Sequence, residues 1–216
     1  MSRYTEMPLC RLPRATALRL IDQLTAPDQR LARCFHRYWR EVMKLSDVDA
    51  AGATADELAT TAGALRAGLA DRHFMTMGVT HDFGYEPVGI YAVRPLGTHP
   101  VGARLDAALG VSRERRGLVH AVAIRDDHAG LTALRTAFVG VARRADELEL
   151  EVLYFYSSDH RLAGVYRHFG MEFPDGLALP DSGHLVGRYQ LRRSDNRARV
   201  QLTAEALGLV ELPVAA

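Results

Sequence analysis

Residues 118–173 read LVHAVAIRDDHAGLTALRTAFVGVARRADELELEVLYFYSSDHRLAGVYRHFGMEF, and this stretch decides the fold. An apolar run over 119–124 is followed by a turn that holds Gly130. Leu131, Leu134, Phe138 and Val141 then recur at helical spacing, with Arg135, Arg143 and Arg144 expected to face away. LELEVLYFY first alternates and then becomes continuously apolar, the pattern of a strand buried on both faces. A short helix carries Leu162, Val165, Tyr166 and Phe169; Ser158 or Asp159 can cap it and Gly170 stops it. The order is strand, turn, helix, strand, helix. A turn that feeds a helix N-terminus is a natural phosphate cradle, because the first backbone N–H groups lack intrahelical partners.

Working outward, HFMTMGVT and PVGIYAV read as two strands separated by a hairpin loop, HDFGYE. Residues 97–117, GTHPVGARLDAALGVSRERRG, then intervene before the next strand, which is far longer than a tight hairpin needs. HLVGRYQL is expected as the last strand, with a short helix over 203–207 in the tail. At the other end, residues 1–13 read as irregular, and ATALRLIDQL reads as a short strand or helix. Pro27 suits the first position of a helix whose apolar face is Leu31, Cys34, Phe35, Tyr38, Val42 and Leu45, widened by Trp39. A second helix starts at Thr54 with Glu57 three residues on, a capping box, and carries Leu58, Ala62, Leu65 and Leu69. Helices, hairpin, strand, helix, strand, helix, strand make a mixed sheet flanked by helices, an α/β (α+β) architecture.

The chain has 216 residues, 48% hydrophobic and 25% charged, with a formal net charge of +1. That suits one globular domain and gives no electrostatic argument for nucleic acid or a membrane surface. The expected division is 1–72 as a helical part, 73–193 as the central sheet and core, and 194–216 as a tail. Basic residues are almost all arginine, the only lysine being Lys44. The abundance of alanine beside it points to coding bias rather than to a phosphate site. Cys10 and Cys34 are too few for a disulfide framework or a metal set. No run approaches the apolar length of a membrane span, and the N-terminus does not read as a signal peptide, so a cytoplasmic protein is the default expectation.

The stretch resembles the acyl-donor half of the GNAT (GCN5-related N-acetyltransferase) superfamily. There a turn of pattern R/Q-x-x-G-x-G/A holds the pyrophosphate of coenzyme A on backbone N–H groups. Two registers are open: Arg125, His128 and Gly130, with histidine at the first glycine, or Ala129, Gly130 and Thr132. Ala163, Tyr166 and Gly170-Met171 follow the spacing of the second half. The long segment after Arg94-Pro95-Leu96 is similar to that of N-acyl amino acid synthases and acyl-homoserine-lactone synthases, although their acidic residue at the next strand is absent and His120 stands near it. The resemblance implies a mostly antiparallel sheet with splayed central strands. It also implies an N-acyltransferase that moves an acyl group from an acyl-CoA or acyl carrier protein thioester to a small-molecule amine, with no metal. A non-catalytic module that binds a thioester or a partner is the alternative.

Acyl transfer needs a neutral amine, a polarised carbonyl and a protonated leaving thiolate. The resemblance implies Tyr166 as the acid. Backbone near Val122, Ala123 and Ile124 would serve the carbonyl, and Arg125, His128, Ala129, Gly130, Leu131 and Ser158 complete the expected donor site. Candidate bases are His120, Glu86, Asp82 and His81; His120 is attractive because imidazole titrates near neutrality. His120 is expected to share a strand face with Val122 and Ile124. Arg113, Arg115 and Arg116 form a cluster that could dock an acidic carrier helix or simply be solvated. The nine histidines show no zinc spacing, with His160 and His168 too far apart on one helix for one ion. No G-x-S-x-G elbow and no G-x-G-x-x-G after a strand is present, which argues against a serine hydrolase and a dinucleotide fold. A homodimer through an open sheet edge is a further expectation.

Overall fold

The computed structural model describes residues 3–25, 62, 63, 65–67, 69, 70, 76–82, 87–124, 126–128, 130–157, 160–174, 177 and 185–209. The helix expected from Pro27 and the start of the one expected at Thr54 lie outside these residues. Ala62, Gly63, Leu65 and Leu69 are helical, and Ala62 and Leu65 are buried, as the apolar spacing requires.

Six strands form one sheet in sequence order: β1 (Tyr4–Pro8), β2 (Thr76–Asp82), β3 (Pro87–Pro95), β4 (Arg116–Ile124), β5 (Val152–Ser157) and β6 (Leu185–Gln190). Every neighbouring pair is antiparallel except β4 and β5, which run parallel. Parallel neighbours need a crossover, and α3 (Leu131–Glu147) supplies it. The other helices are α1 (Arg14–Thr25), α2 (Pro100–Leu109), α4 (His160–His168) and α5 (Ser194–Leu207).

Three elements differ from the sequence reading, and one that it left open is decided. Residues 4–8 are a strand, not irregular chain; five residues ending in Pro8 suit only a sheet edge, where pairing with β2 reveals them. The undecided ATALRLIDQL is helical, with Ala17, Leu20 and Ile21 buried at helical spacing. The long segment after β3 contains α2, which Pro100 opens. The tail helix begins nine residues earlier than expected, at Ser194.

The two sheet faces are distinct. Tyr91, Val93, Val119, Leu153, Phe155 and Tyr189 pack with Ala137, Phe138 and Val141 of α3. On the other face Leu118, Val152, Tyr154 and Val186 pack with Leu105 of α2. Tyr91 is fully buried, and its ring occupies the space that a Cβ would take at Gly78 of β2, 2.0 Å from ring carbon, or at Gly140 of α3, 2.1 Å from its oxygen. Only glycine at both positions leaves this slot. The Tyr91 hydroxyl donates to Glu6 of β1, 2.5 Å away. Arg143 donates to the other Glu6 oxygen at 2.9 Å and to the carbonyl of Leu209 at 3.2 Å. Burial, and then the Glu6 carboxylate, pushes the Tyr91 phenol well above its ordinary range.

This corrects the outward reading of Arg143, which is half-buried, and of Arg144, which is buried and reaches Glu147 at 3.2 Å; Arg135 stays at the surface beside His168. Leu131, expected in the apolar stripe, is 46% exposed. Small residues such as Ala133, Ala137 and Ala145 face the sheet instead, and the arginines bury their stems while their heads find carboxylates. Among the described residues no helix is long and apolar enough to cross a membrane.

Candidate functional site

The central strands part company. Parallel pairing joins Arg116 to Val152, Gly117 to Leu153 and Leu118 to Tyr154. Among the described residues it stops there, although β4 continues to Ile124 and β5 to Ser157. The result is a wedge with its apex at Leu118 and Tyr154. Its inner edges are β4 over 119–124 and β5 over 155–157, and each presents the main-chain donors and acceptors of an unpaired strand edge.

A bulge sharpens this. Ala92 pairs with Ala121 and Val93 pairs with Val119, so His120 is the extra residue of β4. Bulges twist a strand and end regular pairing, and they recur beside binding sites. Val119 and Val122 both pack in the α3-side core although three residues apart, so the simple alternation assumed for His120, Val122 and Ile124 is interrupted here.

The open end of the wedge meets the start of α3. Gly130 caps that helix in an extended conformation, without a side-chain hydrogen bond, and no acidic residue lies in the first turn. Gly130, Leu131 and Thr132 are exposed. The first-turn N–H groups therefore face solvent with the positive end of the helix dipole behind them. His128 precedes this turn in a short helical turn and shares a hydrogen bond with the Tyr4 hydroxyl, 3.1 Å from Nδ1. The two rings meet edge to face at 5.8 Å. His128 thus ties β1 to the turn.

Tyr166 lies against the other wall. Its half-buried ring stacks on Phe155, the first β5 residue beyond the apex, with centroids 6.2 Å apart and planes 29° apart. Ala163 is on the buried side of α4, and Gly170 ends the helix turn at φ 90, where a Cβ would meet Asn196 at 2.7 Å. Phe155 was missed as a site residue, because in LELEVLYFY it reads as one more core position.

The remaining candidates fall in different places. Val122, Ala123 and Ile124 lie on β4 beside the wedge, and His120 stands at its bulge. Glu86, Arg125, Ala129 and Ser158 lie outside the described residues. Asp82 pairs with Arg3 at 3.2 Å, and buried His81 meets the Asp82 carbonyl at 3.2 Å. Both are on β2, two strands from β4. Two members of the arginine cluster are ion-paired: Arg116 reaches Asp106 at 2.9 Å, and Arg115 bridges to Glu149. At the foot of α2, buried His99 is pushed down to about 4 by burial and by neighbouring Arg94. Burial lowers Arg94 itself to about 10.

A groove of about 710 Å³ between α3 and α5 is lined by Val139, Ala142 and Asp146, far along α3 from its first turn. It takes no part in the wedge. Among the described residues, no three His, Cys, Asp or Glu side chains come together as a metal site.

No protein-family model matches the sequence, and no curated protein matches it. Solved structures do match its fold. A spermidine N-acetyltransferase variant from Vibrio cholerae aligns over 91% of this chain and 98% of its own, with a TM-score of 0.54 and 14% identity. A histone acetyltransferase HPA2 and related acetyltransferase from Corynebacterium glutamicum aligns over 87% and 96%, with a TM-score of 0.54 and 16% identity. A nucleotide-linked sugar GNAT, FdhC, aligns over 94% and 93%, with a TM-score of 0.54 and 9% identity.

Proposed function

We propose, from a fold shared with GNAT acetyltransferases, that this chain is an N-acyltransferase. Its donor is an acyl thioester of coenzyme A or of a carrier protein, and its acceptor is the amine of a small molecule. The observation that carries this reading is the parting of β4 and β5 directly in front of the uncapped start of α3. A thioester needs a narrow slot for its extended arm and an electropositive end for its phosphate. The wedge supplies the slot, and the first-turn N–H groups supply a phosphate cradle.

The chemistry follows from the same geometry. A β4 backbone N–H on the wedge edge, near Val122, Ala123 or Ile124, polarises the thioester carbonyl as negative charge develops on its oxygen. The neutral amine attacks the carbonyl carbon, the carbon–sulfur bond breaks, and the thiolate takes a proton from the Tyr166 hydroxyl. The proton lost by the amine passes to His120 or Glu86, directly or through water, and solvent restores the tyrosine. The helical segment between β3 and β4 is the feature that favours an acyl group longer than acetyl.

Thermal-shift and turnover measurements test this together. The chain is screened against coenzyme A, acetyl-coenzyme A and longer acyl thioesters, each with a panel of amines. A donor at 100 times its dissociation constant adds about 2.7 kcal/mol of stability. A shift accompanied by amine-dependent thiol release supports the enzyme. A shift without turnover on any amine supports the non-catalytic thioester-binding module instead. No shift with any coenzyme A thioester removes coenzyme A as the donor.

A further inference from the structure

We propose that Tyr4 and His128 are a positioning pair for the donor. Without touching it, their contact holds the turn before α3 where its N–H groups can meet a donor phosphate. This rests on the acyltransferase reading above.

No cap of its own fixes the cradle. Gly130 opens α3 without a side-chain hydrogen bond, and no acidic side chain in the first turn folds back on the free N–H groups. The aim of those groups therefore depends on the residues that lead into them. His128, two positions before Gly130, ends the short helical turn Asp126–His128. Its side chain is only 10% exposed, and its Nε2 faces the Asp127 carboxylate at 3.9 Å. Its Nδ1 meets the Tyr4 hydroxyl at 3.1 Å, with the rings edge to face. A hydroxyl can donate to imidazole or accept from it, so the bond holds in either tautomer. The ring is thus engaged within the protein, and it acts on a ligand through the backbone that carries it.

The tyrosine is anchored in turn. Tyr4 opens β1 opposite Asp82 of β2, and Arg3 bridges to that carboxylate at 3.2 Å. Glu6, two residues on, falls on the same face of β1, where it meets Tyr91 and Arg143. β1 therefore holds the α3 segment at two points, His128 before its first turn and Arg143 far along it. A slide or rotation of the helix breaks one contact or the other. The strand registers place Tyr4 and Ile124 at the same end of the sheet, the end at which the wedge opens. Yet β1 is three strand spacings from β4, about 14 Å. The pair sets how tightly a phosphate-bearing donor is held and leaves the reacting groups alone.

The test compares two ligands that share an arm and differ in phosphate. Coenzyme A is titrated into the full chain by calorimetry, and pantetheine, which carries no phosphate, by ligand-observed NMR. Tyr4→Phe keeps the ring contact and removes the hydroxyl; His128→Phe removes the ring nitrogens. Each should weaken coenzyme A by about fivefold and leave pantetheine unchanged. The double variant should lose no more than either single one, because both remove the same bond. Hydrogen exchange adds a readout that needs no ligand. The Leu134 amide, which donates to the Gly130 carbonyl at 3.1 Å, should exchange faster in Tyr4→Phe. Unaltered coenzyme A binding in both single variants overturns the proposal, and so do additive losses in the double variant. An equal loss of both ligands overturns it too, since general destabilisation gives that result. Unaltered exchange at Leu134 removes the hold on the turn. If the wild-type chain binds no coenzyme A while exchange still quickens, the donor reading fails and the pair is a structural tie alone.

Discussion

The ring of Tyr166 lies on the ring of Phe155, 6.2 Å between centroids, at the first β5 residue beyond the last parallel pair. This contact joins a helix to the wall of the wedge and fixes where the phenol ring sits. Tyr166→Phe keeps the stack and removes only the hydroxyl. Turnover should fall by about 100-fold or more, with donor affinity unchanged. The check is steady-state kinetics beside a donor titration; unchanged turnover removes Tyr166 as the acid.

At the start of α3 the expected effects on stability and binding have opposite signs. Leu131 is exposed in the first turn, so Leu131→Glu places a carboxylate beside the free N–H groups. The helix dipole should hold or raise stability by about 0.5 kcal/mol. A phosphate-bearing donor should bind about tenfold more weakly, through like-charge repulsion at the same spot. Calorimetry with the thioester, run beside chemical denaturation, reads both signs; a loss of stability parallel to the loss of affinity would refute the cradle.

The slot around Tyr91 predicts a structural cost. Gly140→Ala puts a methyl 2.1 Å from the Tyr91 oxygen. The ring is confined on its other side by Gly78, and its hydroxyl is held by Glu6. Destabilisation of about 1–3 kcal/mol is expected from overpacking, measured as a lower urea midpoint. Gly164→Ala is the control, since a Cβ there meets nothing within 4 Å.

His99 makes stability pH-dependent. Its folded pKa is about 4, against an ordinary value of 6.5, because burial and Arg94 disfavour the imidazolium. Between these values the unfolded chain binds more protons, so stability rises with pH and is lost on acidification from pH 7 toward 4. The full span is on the order of 3 kcal/mol. Urea unfolding of wild type and His99→Gln across this range should give a flatter pH dependence in the variant; parallel curves would exclude His99 as the cause.

The strand, helix, strand and helix of residues 118–173 were legible because each signal is local: apolar runs, helical spacing and a stopping glycine. The wedge was implied only by the family resemblance and by no local signal, since it is a property of pairing between β4 and β5, some thirty residues apart. The bulge at His120 depends on β3 in the same way. β1 was hidden by its five-residue length, and α2 was read as insert although Pro100 and Leu105 mark it. The arginine cluster carried no hint of its partners, because Glu149 lies 34 residues from Arg115. Tyr166 was found through family spacing, whereas Phe155, which seats it, looks like any core aromatic.

Arg143 grips Glu6 near one end of the chain and the Leu209 carbonyl near the other. One guanidinium is thus a common clasp for two segments 203 residues apart in sequence. Damage at either extremity loosens the same knot. Substitutions at Glu6 and deletions that remove Leu209 should therefore combine to less than the sum of their separate effects, a thermodynamic coupling between sites that share no direct contact.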